Sequence, residues 1–311
     1  MNYKDCAELL KRHDGYLVIT HKNPDGDTTG SAAALCAALR RIGKTAYAYP
    51  NPGMNGKLLP YIAEYYAPEG FSAQFIIAVD IAAESLFPQG FEGAVDLCVD
   101  HHPTNSHYAK NSLIVADRAS CGEIMLDLIK ALRGPVTKAE ATLLYLAVST
   151  DTGCFRYSNT NSATFRAASE LARLGADMPS VNFSFFRKAS PARLKLEGMI
   201  YSSLRYYRDG KITVACVTLD MLSASGAGDD DLDDIANLAG RPEDSVLGIT
   251  IREQPGGTCR LSLRSSPEVD CSAICAVFGG GGHALAAGCT ISGTPERARE
   301  MILDVVNEVW K

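Results

Sequence analysis

Short apolar runs alternate with helical stretches from Gly15 to Asp151, and this alternation constrains the fold more than any other feature. The apolar runs are "YLVIT", "TAYAY", "FIIAVD", "DLCVD" and "SLIVAD". Helices are predicted over Thr28–Ile42, Cys121–Leu132, Lys138–Ser149 and Ser162–Leu174, the last of which ends at Gly175. Because this order is typical of a parallel sheet with crossover helices, the sequence predicts an α/β fold here.

The sequence changes character in its C-terminal part. The runs "KITVACVTL", "SVLGITIREQ" and "TCRLSLRSS" predict strands, and a helix is predicted from Pro295 onward. An amphipathic segment covers about Pro191–Tyr207. We therefore expect an α/β chain in two domains. These are a parallel-sheet domain with flanking helices over 1–185, a helical linker over 186–208, and a smaller α/β domain with a mixed sheet over 209–311.

Charge, hydropathy and cysteine usage exclude several classes of protein. A net charge of −6 argues against a long duplex nucleic acid as partner, since such binding needs many cationic contacts with phosphates. No apolar run approaches the roughly 18 residues of a membrane span and the N-terminus is unlike a signal peptide, so we expect a cytoplasmic protein with no membrane partner. The ten cysteines are scattered without a C-x-x-C motif, which favours free, mostly buried thiols over disulfides or zinc.

Aspartates and histidines follow apolar runs at four places in the N-terminal part. They are His21, Asp25 and Asp27 after "YLVIT", Asp80 after "FIIAV", Asp100, His101 and His102 after "DLCV", and Asp151 after "LLYLAVST". Ligands of an open parallel sheet bind beyond the carboxyl ends of its strands, so we expect these side chains to converge on one rim. Crowded carboxylates repel each other unless cations neutralise them. Aspartate mixed with imidazole suits manganese, iron, zinc or cobalt, so the sequence predicts a metal site.

Other interpretations of the acidic segments fail on spacing. An EF-hand loop that began at Asp25 would need a glutamate where Cys36 stands, and a Walker loop would need Gly-Lys-Ser/Thr, which this stretch lacks. Gly26 is instead predicted to permit a tight turn that aims both neighbouring aspartates the same way. The acidic run "GDDDLDD", Gly228–Asp234, is interpreted as a solvated helix start rather than a calcium site.

A second cluster surrounds the glycine run in "FGGGGHALAAG". Four successive glycines expose backbone N–H groups, which can form a cradle for an anion. Arg264 is suited to a bidentate contact with phosphate, and His283 closes the run. Together these residues predict a clamp for a phosphate or a nucleotide.

The motifs resemble those of a known family. "HKNPDGD", "AVD", "VDHHPTN" and "STDTGCF" resemble the four motifs of the DHH phosphoesterases, and "FGGGGHALAAG" resembles the signature of their associated C-terminal domain. They occur in this order from Thr20 to Gly288. The length and two-domain layout are most similar to the stand-alone nanoRNase/pAp-phosphatase group, because there is no room for the DNA-binding modules of RecJ exonucleases.

The resemblance implies two divalent ions, most often manganese, and a set of site residues. One ion would be held by His21, Asp25 and Asp80, and the other by Asp27, Asp80, His101 and Asp151. The implied catalytic residues are Asp80, which bridges the ions, Asp100, which orients a ligand histidine, and His102, which faces the scissile phosphate. The substrate's terminal phosphate or nucleotide would be held by Arg264, Ser265, Gly281, Gly282 and His283.

The implied activity is that of a two-metal phosphoesterase acting on nucleotides. It would hydrolyse nanoRNA and linear dinucleotides to mononucleotides and remove the 3′-phosphate of adenosine 3′,5′-bisphosphate, with length selectivity arising between the two domains. Three alternatives stay open: a phosphodiesterase for a cyclic or linear signalling dinucleotide, a non-catalytic nucleotide-binding sensor, and an inorganic pyrophosphatase. A homodimer is compatible with each of them.

Overall fold

The computed structural model describes residues 1–132, 134–232 and 234–310. The chain divides into two compact units, Met1–Lys188 and Ala189–Lys311. Each unit has its own β-sheet. The predicted α/β class is therefore confirmed.

The N-terminal unit contains a five-stranded parallel sheet. Its strands are β1 (Tyr16–Ile19), β2 (Ala46–Ala48), β3 (Phe75–Val79), β4 (Leu97–Asp100) and β5 (Asn111–Ile114). They lie in the order β2-β1-β3-β4-β5. Each of the five predicted apolar runs forms one of these strands. The chain passes from β1 to β2 on one side and then from β2 to β3 on the other side of β1, and such reversals of strand order are where open parallel sheets bind ligands.

The helices of this unit lie close to their predicted positions. They are α1 (Tyr3–Arg12), α2 (Gly26–Arg41), α3 (Leu59–Ile62), α4 (Cys121–Ala131), α5 (Lys138–Asp151), α6 (Ser162–Arg173) and α7 (Met178–Asn182), with a π-helical turn over Phe183–Arg187. The four helices predicted from the sequence, α2, α4, α5 and α6, are confirmed. Their ends differ from the predicted ends by at most two residues. Each begins at a polar N-cap whose side chain accepts a backbone hydrogen bond: Asp25, Ser120, Thr137 or Asn161.

Apolar side chains cover both faces of the parallel sheet. A large core with Leu35, Ile77 and Leu144 packs one face against the helices. A smaller cluster that includes Ile19 and Ile81 covers the other face. Burial on both sides explains why the strands read as continuous apolar runs rather than as alternating patterns.

The C-terminal unit contains a six-stranded mixed sheet. Its strands are β6 (Arg205–Tyr207), β7 (Ile212–Val217), β8 (Leu247–Gln254), β9 (Thr258–Ser265), β10 (Gly281–His283) and β11 (Ala286–Ser292), and its helices are α8 (Pro191–Ser202), α9 (Leu219–Ser225), α10 (Cys271–Ala276) and α11 (Pro295–Val309). The order is β10-β11-β9-β8-β7-β6. Only the pair β7–β8 is parallel, which confirms the predicted mixed sheet.

Several details of this unit differ from the sequence prediction. The amphipathic helix ends at Ser202, and Arg205–Tyr207 form a strand instead. The acidic run forms only a 3₁₀ turn over Asp229–Asp231, and its residue Asp233 lies outside the described residues. The glycine run enters strand β10, which together with β11 had no strand signal in the sequence.

The remaining predictions concern thiols and membranes. All ten cysteines are free thiols, eight of them buried, as predicted. Among the helices of the described residues, none is long and apolar enough to cross a membrane.

Candidate metal centre and substrate site

The ends of three adjacent strands carry three of the six predicted metal ligands, and also Asp100 and His102. His21 lies two residues beyond β1, Asp80 follows β3 directly, and Asp100 is the last residue of β4, followed by His101 and His102. Because β1, β3 and β4 are neighbours in a parallel sheet, these side chains share one edge.

The other three predicted ligands lie at helix ends. Asp25 caps α2, with its Oδ1 accepting hydrogen bonds from the N–H groups of Asp27 (3.0 Å) and Thr28 (3.1 Å). Asp151 is the last residue of α5, so the convergence of strand ends does not account for it. A carboxylate at a helix C-terminus is disfavoured by the macrodipole, so its position there indicates a role other than helix stability.

Gly26 is required by close packing and not by a turn. Its φ is not positive, and a Cβ at this position would lie 2.3 Å from Oγ1 of Thr150. The predicted role as a tight turn is therefore wrong. The glycine instead lets the start of α2 approach the end of α5, which brings Asp25 and Asp27 close to Asp151.

The predicted ligands form one continuous cluster. Three groups have ligand atoms within 4.8 Å of one another: His21, Asp25 and Asp80; Asp27, His101 and Asp151; and Asp80, Asp100, His101 and His102. Asp80 and His101 each belong to two of these groups. The structure thus brings together all six residues that the resemblance implies as metal ligands.

Asp80 occupies the centre of the cluster. Its Oδ2 lies 3.8 Å from Nε2 of His21, and its Oδ1 lies 3.4 Å from Nε2 of His101. The side chain is 4% exposed, and Oδ1 accepts no hydrogen bond from any described residue. The backbone of Asp80 has φ 61°, a left-handed conformation that is costly for a residue other than glycine. An unsatisfied oxygen on a strained residue points to a functional site.

The electrostatics of the cluster reflect carboxylate crowding. Burial and the charges of Asp80 and Asp151 raise the pKa of Asp27 well above its usual range. Burial, with a further contribution from Asp80, raises the pKa of Asp151 to about 7 although His101 opposes it. Burial lowers the pKa of His101, but the three surrounding carboxylates raise it to about 10.

The residues present fit divalent metal ions. The unsatisfied oxygen of Asp80 and the raised pKa values of Asp27 and Asp151 both indicate more negative charge than the neighbouring histidines balance. Carboxylate and imidazole donors together match the preferences of first-row divalent ions.

Hydrogen bonds orient the two histidines of the "DHH" motif differently. Nδ1 of His101 lies 3.2 Å from the carbonyl oxygen of Arg118, so Nε2 faces the carboxylates, as a metal ligand requires. Nδ1 of His102 lies 2.7 Å from Oδ1 of Asp100. Asp100 therefore orients His102 and not the ring of the ligand histidine His101, which corrects the implied role.

Two contacts that support the site were not predicted from the sequence. One is made by the side chain of Asn105 and the other by the backbone carbonyl group of Arg118. Asn105 donates hydrogen bonds to Oδ2 of Asp100 (2.6 Å) and to the carbonyl oxygen of Ile81 (3.1 Å). The signal for Asn105 is its place in the quoted motif "VDHHPTN". Arg118 contacts His101 through its backbone carbonyl, a group that no residue type reveals.

Backbone groups at the start of α4 also support the site. The N–H of Cys121 donates to Oδ2 of Asp27 (2.7 Å), and the N–H of Gly122 donates to Oδ1 (2.9 Å). The predicted helix start at Cys121 is a usable signal, since helix N-termini favour carboxylates.

In the C-terminal unit, the strand register places Arg264 and His283 on one face. Both pair with Ala286, Arg264 from β9 and His283 from β10. One strand lies between them, so their Cα atoms are about 10 Å apart at the usual spacing of neighbouring strands. Ser265 follows Arg264 and points to the other face, where its hydroxyl donates to the carbonyl oxygen of Val269 at 2.6 Å. The structure therefore does not bring the side chain of Ser265 together with the other predicted substrate residues.

The glycine run is shaped by its packing on β11. A Cβ on Gly280 would lie 2.3 Å from the carbonyl oxygen of Gly288, and Gly282 has φ 146° with the carbonyl oxygen of Ala286 2.6 Å from such a Cβ. Gly281 meets nothing within 4 Å. Close strand packing explains Gly280 and Gly282, while Gly281 leaves open space beside His283.

Comparison with known proteins identifies the family. The model of the DHH family, N-terminal domain, matches residues 16–148, and that of the DHHA1 domain matches residues 209–311. The chain is 32% identical over 308 residues to the bifunctional oligoribonuclease and PAP phosphatase NrnA of Thermus thermophilus, covering 97% of this chain and 92% of the relative. The fold, the site and these matches define a phosphoesterase, and the chain belongs to the DHH family.

Two further similarities extend this comparison. The cyclic-di-AMP phosphodiesterase PdeA of Listeria monocytogenes is 24% identical, and the match covers 98% of this chain but 49% of that protein. The crystal structure of an exopolyphosphatase-related protein from Bacteroides fragilis has a TM-score of 0.88 at 22% identity, covering 98% of this chain and 96% of that one. The structural match supports the fold.

Proposed function

We propose that this protein hydrolyses nanoRNA and linear dinucleotides to mononucleotides and removes the 3′-phosphate of adenosine 3′,5′-bisphosphate. The observation that carries the proposal is the aspartate–histidine cluster joined through Asp80. It occurs in a chain that matches, over 97% of its length, a relative named for these two activities.

The cluster supports two sites for divalent ions. His21, Asp25 and Asp80 would hold one ion, and Asp27, Asp80, His101 and Asp151 the other; manganese is proposed because it accepts both donor types. Such ions supply Lewis-acid stabilisation of charge on phosphoryl oxygens. The four carboxylates carry four negative charges, which two divalent ions balance, so the loaded rim accepts a phosphate that the bare carboxylates would repel.

His102 is the residue we assign to the scissile phosphate. Its ring is 41% exposed, and the bond from Nδ1 to Asp100 directs Nε2 away from that carboxylate. The hydrogen bond with Asp100 raises the pKa of His102 although burial opposes it, which favours a proton on Nε2. A protonated Nε2 donates a hydrogen bond to a phosphate oxygen and can pass its proton to the leaving group.

We assign substrate binding to the C-terminal domain. Arg264, Gly281, Gly282 and His283 would hold the terminal phosphate, while Ser265 supports β9 through Val269. The boundaries proposed for the domains are 1–185, 186–208 and 209–311. Helix α8, in the proposed linker, packs Leu196 and Ile200 against the C-terminal sheet.

A substrate and metal panel tests the proposal. The protein loaded with manganese, cobalt or magnesium is incubated with diribonucleotides to pentaribonucleotides and with adenosine 3′,5′-bisphosphate. We expect release of mononucleotides and of inorganic phosphate, lost in Asp80→Asn and retained in Asp117→Asn, a control at an exposed position. Absence of turnover with every metal, or an Asp80→Asn variant as fast as wild type, would contradict the proposal.

A cyclic-dinucleotide phosphodiesterase is the second candidate, favoured by the similarity to the Listeria enzyme. Faster turnover of cyclic di-AMP than of the linear dinucleotide would select it. Pyrophosphate in the same panel tests the pyrophosphatase alternative. Binding of nucleotides without turnover would favour the sensor.

The homodimer and the cytoplasmic location stay predictions, and sedimentation equilibrium tests the former.

A further inference from the structure

Three arginines share one cavity on the sheet of the C-terminal unit. Arg252 of β8 pairs directly with Arg260 of β9, and Arg264 lies four residues further along β9 on the same face. The three side chains line a cavity of about 270 Å³ together with Ser262, Thr250 and one acidic residue, Asp234, so the lining has three cationic groups against one carboxylate. The proposed clamp uses only Arg264, so Arg252 and Arg260 have no role in it.

Among the residues that the structure describes, the two additional guanidinium groups form no ion pair. Nε of Arg252 is buried and has no hydrogen-bond partner among the described residues. The carboxylate of Asp229 acts on the charge of Arg252 from a distance, without forming an ion pair with it. Arg264, in contrast, donates hydrogen bonds to Oδ1 of Asn237 (3.2 Å) and to the carbonyl oxygen of Leu263 (2.9 Å).

This arrangement is unfavourable for the unliganded sheet. Like charges directly opposite each other on neighbouring strands are destabilising. Burial, reinforced by the charge of Arg260 and opposed by Asp229, lowers the pKa of Arg252. Both observations indicate positive charge that a bound anion would neutralise.

The size and spacing of the cavity select the kind of anion. Its volume lies just below the roughly 300–1,000 Å³ of pockets that enclose a whole small molecule, so it fits a phosphate and part of a sugar. Four residues along a strand separate Arg260 from Arg264 by about 13 Å between Cα atoms. A chain with successive phosphates can therefore occupy both positions, and the guanidinium fork matches phosphate geometry.

We propose that Arg252 and Arg260 form a second phosphate site, which binds the phosphodiester next to the terminal phosphate held at Arg264. The identity of the ligand as an oligonucleotide rests on the proposed function. The site favours trinucleotides and longer chains over dinucleotides, because a dinucleotide has no phosphate besides the terminal one and the scissile one.

Paired removal of the two charges tests this site. In the Arg252→Gln/Arg260→Gln variant, the ratio of kcat/KM for a triribonucleotide to that for a diribonucleotide is expected to fall about tenfold, mainly through KM. The matched control Arg173→Gln/Arg297→Gln removes two exposed arginines and should keep the wild-type ratio. Because like-charge repulsion is relieved, the test variant should be at least as stable as wild type.

A binding measurement separates this site from the proposed function. The affinity of a fluorescein-labelled triribonucleotide is followed against salt concentration in EDTA, where metal-dependent hydrolysis is prevented. Each lost phosphate contact should reduce the slope of log K against log[salt] by about 0.7. An unchanged slope together with an unchanged length preference would overturn the second site, whatever the enzyme hydrolyses. A reduced slope in a protein that hydrolyses no nucleotide would uphold the phosphate site and reject the proposed function.

Discussion

Nδ1 of His102 lies 2.7 Å from Oδ1 of Asp100, and Oδ2 of the same buried carboxylate accepts a hydrogen bond from Asn105 at 2.6 Å. Asp100 is completely buried, so its charge acts on the imidazole with little solvent screening. The carboxylate thus fixes the ring and favours its protonated form.

Asp100→Asn should lower kcat about 10- to 100-fold, somewhat less than the roughly 10²–10⁴-fold contribution of a general acid, because the ring of His102 stays but loses its orienting partner. Loss of the negative charge lowers the pKa of His102, so the alkaline limb of the pH–rate profile should move to lower pH. Profiles of kcat/KM between pH 5 and 10 measure this shift, with Asp117→Asn as control. An alkaline limb that stays in place would show that His102 does not act in its protonated form.

The metal-free protein should lose stability as pH rises. The pKa of Asp151 is about 7 in the folded protein, well above its usual value, so the folded state binds more protons than the unfolded state between about pH 4 and 7. His101, with its pKa raised to about 10, adds a loss in the same direction at higher pH. In EDTA, Tm should be about 5 °C lower at pH 8 than at pH 5.5.

Manganese should remove this pH dependence, because the ions neutralise the carboxylates that protons neutralise at low pH. The rise in Tm on adding manganese should therefore be larger at pH 8 than at pH 5.5. Asp151→Asn should flatten the metal-free profile. A Tm in EDTA that is constant across this range would contradict the assigned charge crowding.

Gly26→Ala should disturb the contact between α2 and α5. The added Cβ would meet the side chain of Thr150, which should cost about 1–3 kcal/mol of stability and weaken manganese binding. Gly198→Ala is the matched control, because Gly198 also lies within a helix but has open space around it. Its replacement should be neutral or stabilise by up to about 1 kcal/mol. Urea denaturation and manganese titration measure both variants; equal stabilities would exclude the packing role of Gly26.

Substitutions of Arg264 and Ser265 should have different effects, although the two residues are adjacent in sequence. Arg264→Gln should raise KM for every nucleotide substrate by about tenfold or more, since a charge-assisted contact with phosphate is lost. Ser265→Ala should instead lower stability by about 1 kcal/mol through loss of the bond to Val269, with little effect on KM. Steady-state kinetics and denaturation of both variants check this contrast. A large increase of KM in Ser265→Ala would show that the hydroxyl of Ser265 does contact the substrate.

The sequence predicts most of the N-terminal unit for identifiable reasons. Strands such as β3 and β4 are buried on both faces, so their apolar runs are unbroken and easy to recognise. The meeting of His21, Asp80 and His101 follows from the rule that adjacent parallel strands end at a common edge.

The contacts that the sequence does not predict are mostly made by the backbone. The carbonyl group of Arg118 and the N–H groups of Cys121 and Gly122 would be present whatever the residue type. Strand β10 is not predicted for a different reason. Its glycines have close backbone neighbours and lack the apolar side chains from which a strand is predicted.

Strand β10 lies at the edge of its sheet and is only three residues long. Exposed edges ordinarily invite pairing with strands of other molecules, and very short edge strands are one means by which proteins avoid it. The glycine segment to which we assign phosphate binding is therefore too short to template intermolecular β-sheet growth. Its brevity protects this edge of the sheet from edge-to-edge aggregation.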